Sequence, residues 1–145
     1  MTLAVQELVA GVPLAQTLVT PPKNVFVEVL RPHLVRYGSP AGTLQMLVLD
    51  STNTQIAASN VLTISSLAPT FGYAHGYWEF DVNAGLKANQ SYTFKLVSGG
   101  GYSFSESAYV GWVNGCDLGK YSPTTAPPNL LQWPLDIEVW HRKQT

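Results

Sequence analysis

Gly76-Tyr77-Trp78-Glu79-Phe80-Asp81-Val82 opens the stretch whose reading decides the fold. Trp78, Phe80 and Val82 alternate with Tyr77, Glu79 and Asp81. Successive side chains of a strand point to opposite faces, so one face of this element is apolar and the other wettable. Asn83-Ala84-Gly85 reads as a turn, and Leu86 to Gln90 follow it. Tyr92, Phe94 and Leu96 then alternate with Thr93 and Lys95 in a second strand. Gly99-Gly100-Gly101 breaks that strand, and Tyr109-Val110-Gly111-Trp112 closes the unit as a third aromatic run. Three such strands are expected to form half of a two-sheet core.

Outward from this unit the pattern persists. Leu14 to Val19 is a short strand ended by Pro21-Pro22. Val25 to Arg31 is another, with Pro32 expected to stop it and His33 to Gly42 to form a loop carrying the turn Gly38-Ser39-Pro40-Ala41-Gly42. Leu44, Met46 and Val48 begin the next strand, Asp50 to Thr54 is a turn, and Gln55–Ser59 and Val61–Ile64 are two short strands. Leu135, Ile137 and Val139 alternate with Asp136 and Glu138 in a last strand, expected to return near the first. Residues 1–13 fit either an edge strand or an arm reaching to a neighbour. Val113 to Trp133 is Pro-rich and aperiodic, and a loop of that length is usually functional. The sum is about eight or nine antiparallel strands and no long helix, the count of a jelly-roll β-sandwich. The 145 residues are expected to form a single domain.

Composition narrows the function classes. Charged residues make up 12% of the chain, against about 25% in an ordinary domain. Either neutral polar residues cover the surface, or much of it packs on other subunits, since interface cores are depleted of charge. The net charge is −1. Nothing steers the chain toward nucleic acid or an anionic membrane, and no apolar run approaches the roughly 20 residues that span a bilayer. The N-terminus lacks a basic region and has Gln6 and Glu7 inside its apolar stretch, so no secretory signal is expected. Cys116 is the single cysteine, which excludes an internal disulfide.

No catalytic constellation emerges, and no enzyme is expected. Glu79 and Asp81 could pair as glycosidase carboxylates but read as a solvated strand face. Cys116 has no base beside it in sequence. Asp50, Asn53 and Asp117 match no calcium loop, so neither metal nor cofactor is expected. Two kinds of surface stand out instead. Sugars stack their C–H faces on aromatic rings, which makes Tyr73, Tyr77, Tyr102, Tyr121 and Trp133 the candidate glycan-binding residues. Leu3, Val5, Leu8 and Val9 in the N-terminal stretch, with Leu130, Leu131, Trp133 and Trp140, are the candidate subunit contacts.

Ala15–Leu18, Val25–Leu30, Gly38–Gly42 with Leu44–Asp50, Ile56–Ser59, Ile64–Leu67, Tyr77–Phe80, Leu86–Tyr92 and Tyr109–Trp112, taken in order, resemble a jelly-roll domain of phage virion proteins and bacterial extracellular proteins. That domain is similar to carbohydrate-binding modules. The resemblance implies a capsid decoration (cement) protein, or a tail or baseplate component, with the major capsid protein or other virion proteins as partners. It implies a homo-trimer located in the virion and released by host lysis. A glycan-binding module or adhesin is the alternative.

Overall fold

The structure is a computed structural model that describes residues 5–9, 11–66, 73–105, 108–113 and 137–143. The chain folds into two antiparallel sheets packed face to face, an all-β sandwich. Sheet one contains β1 (Val5–Glu7), β3 (Val25–Tyr37), β7 (Tyr73–Tyr77), β8 (Phe80–Leu86), β10 (Tyr109–Val113) and β11 (Ile137–Lys143). Sheet two contains β2 (Leu14–Val19), β4 (Thr43–Leu49), β5 (Gln55–Ala58), β6 (Leu62–Thr63) and β9 (Ser91–Gly99). Among the described residues the helical structure is a single 3-10 turn, Ile64–Ser66.

β5 and β6 both pair with β4, and β7 and β8 both pair with β3. Counting each couple as one interrupted strand, sheet one runs first, eighth, third, sixth, and sheet two runs second, seventh, fourth, fifth. This is the jelly-roll order of two Greek keys. β11 is a ninth strand laid along β3. It does not return to the first strand; β10 takes that place, pairing Val5 with Val113. Of the two readings of the N-terminal stretch, the edge strand holds over Val5–Glu7.

The core lies between the sheets. β4 contributes Leu44, Met46 and Val48, and β9 contributes Tyr92, Phe94 and Leu96. Facing them are Val27, Leu30 and Leu34 of β3, Phe80, Val82 and Leu86 of β8, and Trp112 of β10. Each fully buried side chain of this size stabilises the fold by about 1.5–3 kcal/mol. Period-two alternation is strict in β4 and β8 and holds in β9 as far as Val97, with buried and less buried residues taking turns along the strand. The three aromatic strands do not form one half of the core, however. β8 and β10 belong to sheet one and β9 to sheet two, because each crossing of a jelly roll carries the chain to the opposite sheet.

Pro32 does not stop β3, which runs on through it to Tyr37. The register explains how. His33 pairs with Tyr77 and Leu30 with Phe80, so β7 and β8 are one line of chain opposite β3, broken at Trp78 and Glu79. Trp78 N–H donates to the Pro32 carbonyl at 3.2 Å. The reciprocal bond needs an N–H that proline lacks. The missing donor therefore interrupts the neighbouring strand instead of the strand that contains it.

Asn83-Ala84-Gly85 likewise is not a turn. Val27 pairs with Ala84 and Val29 with Asp81, so β8 holds one residue more than β3 across this interval. Asn83 sits there at φ 48°. The result is a β-bulge, for which a left-handed residue is a normal component. The turn after Asp50 does form. One carboxylate oxygen accepts from the backbone N–H groups of Thr52 and Thr54 and from the Thr52 hydroxyl. These bonds hold the Asp50 carboxyl below the usual carboxylate range.

Candidate interaction surfaces

Two expected surface residues belong to the interior. Tyr102 is only 7% exposed and Leu8 is fully buried. The Tyr102 hydroxyl donates to the Leu8 carbonyl at 2.6 Å and accepts the Val110 N–H at 3.2 Å. The Gly99–Gly101 bend delivers Tyr102 inward, with its own N–H bonded to the Gly99 carbonyl. Gly42, at φ +119°, leaves room for this approach, since a Cβ there would stand 2.6 Å from Tyr102 Cα. Tyr102 is thus a latch between the N-terminal strand and β10, and its ring is not available to a sugar. Leu8 is not available to a subunit for the same reason.

The other candidates separate by location. Val9 is exposed in a tight reversal bridged to Val12. Trp140 is exposed at 45% on β11. By register, Tyr73 lies opposite Tyr37 and Tyr77 opposite His33, and Val5 pairs with Val113. Leu3, Tyr121, Leu130, Leu131 and Trp133 lie outside the described residues, as do Cys116 and Asp117.

The outer face of sheet one holds charge and aromatic rings together. The Arg31 guanidinium lies 4.5 Å from the centre of the Trp140 ring. Its Nε is 3.6 Å from Oε1 of Glu79. A half-exposed ion pair of this length contributes little stability. At the far end of β3, Tyr37 and Tyr109 are cross-strand partners with ring centres 5.6 Å apart and planes at 19°. Phe104 stands 5.9 Å from Tyr109. Sequence reading passed over Tyr37 because it fell in a supposed loop, and over Tyr109 because it opened a run read as core. The signal that would have found Tyr37 is parity: Arg31, His33, Val35 and Tyr37 share one face once the strand is carried past Pro32.

The outer face of sheet two is different. It presents Ala15, Thr17 and Val19 from β2, Ser91, Thr93, Lys95 and Val97 from β9, and Thr43, Gln45, Leu47 and Leu49 from β4. Lys95 is the one charged side chain that these three strands turn outward. Leu47, Leu49 and Val97 are half-buried. A groove of about 220 Å³ continues the face toward the N-terminal hairpin, between Gly11, Val12 and Pro13 on one side and Lys95, Val97 and Ser98 on the other. A second opening of about 80 Å³ enters between the sheets beside β2 and β11, lined by Leu18, Val19, Leu86, Phe94 and Val139. Among the described residues no three His, Cys, Asp or Glu side chains gather as metal ligands would.

Compared with known proteins, the chain matches no family model, no curated protein and no solved structure.

Proposed function

We propose that this chain is a non-enzymatic structural protein of a bacteriophage particle, a head decoration protein that binds the major capsid protein and other copies of itself. One observation carries the reading: the outer face of sheet two is a nearly uncharged slab, broken only by Lys95. A flat neutral face can be buried against a neighbour without stripping water from charges, which is the costly part of association. The resemblance of the ordered segments to phage virion jelly rolls fits this mechanism. The trimer and the place in the virion belong to the same proposal.

The test is light scattering coupled to size exclusion on the full chain, followed by co-sedimentation with capsids that lack a decoration protein. A trimer that co-sediments is the expected result. Leu47→Lys puts a second, unpaired ammonium in the middle of the face, directly across from Lys95. It is expected to reduce capsid binding or self-association at least about tenfold, a loss of about 1.4 kcal/mol or more, while the melting temperature stays near that of the parent. A chain that remains monomeric and does not co-sediment overturns the proposal.

A further inference from the structure

The geometry points to a carboxylate as the group that a partner brings to Lys95 on the outer face of sheet two, and to a protein other than a second copy of this chain as its carrier. The inference rests on the reading of that face as a capsid contact. The five strands of sheet two hold one charged residue, Lys95, and no Asp or Glu. Lys95 sits on β9 between Ala15 of β2 and Leu47 of β4, with Thr93 and Val97 next to it along the same face. Among the described residues its ammonium has neither an ion pair nor a hydrogen bond. Asp50, just beyond β4, is bonded within its own turn to Thr52 and Thr54. Lys95 also borders the groove of about 220 Å³, whose other walls are Gly11, Val12, Pro13, Val97 and Ser98.

Charge chooses the partner. β9 is the inner strand of the three, so a neighbour that covers the face also covers Lys95. An ammonium taken out of water is costly unless an opposite charge replaces the water. One cation calls for one negative charge. A nucleic acid would need a row of cations, and these strands supply no second one. An Asp or Glu side chain brings a single charge on a short aliphatic stem, which suits an ammonium beside Val12, Pro13 and Val97. A second copy is a poor source of it. The exposed described carboxylates of this chain, Glu7, Glu28, Glu79 and Asp81, stand on or beside sheet one, in company with Arg31. A second copy therefore brings mixed charge, whereas the sheet-two face is complementary to a neutral surface with one acid in it.

The test uses the full chain and capsids that lack a decoration protein. Lys95→Gln removes the charge and leaves the incoming carboxylate buried without a partner. Co-sedimentation is expected to weaken at least about thirtyfold. Lys95→Arg keeps the charge and should retain most of the binding. Both variants should melt with the parent, because the ammonium bonds to nothing within the fold. The sign of the effect decides. If the partner brings no charge, Lys95→Gln only spares a desolvation cost, and unchanged or tighter binding overturns the inference while the capsid reading stands. Carbodiimide joins an amine to a carboxylate without a spacer. It should link the Lys95 peptide to an Asp or Glu of the capsid protein, read by mass spectrometry. A Lys95 link to a carboxylate of this chain would assign the face to a second copy and overturn the inference. A parent that does not co-sediment removes the capsid reading, and this inference with it.

Discussion

Tyr102 joins three parts of the chain through one oxygen atom. Its hydroxyl serves the Leu8 carbonyl and the Val110 N–H, and the Leu8 N–H in turn donates to the Val110 carbonyl at 2.7 Å. Tyr102→Phe keeps the ring and strands both backbone groups. It should destabilise the fold by about 1–3 kcal/mol, measured by urea unfolding. Burial chiefly holds the phenol pKa above its ordinary value, and the bond from Val110 N–H opposes this only in part. The neutral form is therefore favoured in the folded chain. That contribution is complete below the usual tyrosine range, near about 10, and is lost as pH rises through the higher folded value. The parent should lose stability on this alkaline limb more steeply than Tyr102→Phe does. None of this was legible in the sequence: a tyrosine after three glycines reads as a loop residue, and only the tertiary position of Leu8 gives it a partner.

Alternation made most strands legible, because a half-buried strand writes its two faces directly into the chain. β4 and β9 were found this way, and β8 over Phe80–Val82, before the supposed turn at Asn83. The failures came where backbone chemistry and side-chain pattern disagree. Pro32 reads as a stop, yet it stays inside β3 with its carbonyl bonded to Trp78 and its ring buried. Asn83 reads as a turn, yet it is a bulge whose cause lies across the sheet in β3. Both are properties of a pair of strands, which one strand's sequence does not contain. The same logic gives a prediction for Pro32→Val. The new N–H faces the Trp78 carbonyl, so residue 32 should gain an amide that exchanges slowly by NMR. Stability should change by no more than about 1 kcal/mol, since the added bond is offset by the lost rigidity of proline. Fast exchange at position 32 would contradict the proposed register.

The sandwich is closed by pairings between distant parts of the chain. Val5 meets Val113, Leu14 meets Leu96, and Val25 meets both Leu86 and Lys143. Each requires a long loop to close before any contact rewards it. Refolding is therefore expected on the millisecond-to-second scale, checked by stopped-flow fluorescence of the buried Trp112, and a microsecond phase carrying the full amplitude would contradict it. The two outer faces were only half visible in advance. Low charge announced that some surface was neutral, but charge counts do not say where, and the segregation of charge to sheet one follows from strand order alone. β3 also sets a direction. Lys143 lies beside Val25 at one end of this strand, and Tyr37 lies at the other, about 40 Å away along an extended chain of this length. A chip or carrier attached beyond β11 would therefore hold the molecule at the Val25 end of β3 and turn the Tyr37 end away from the support, so the orientation of an immobilised sample follows from its topology.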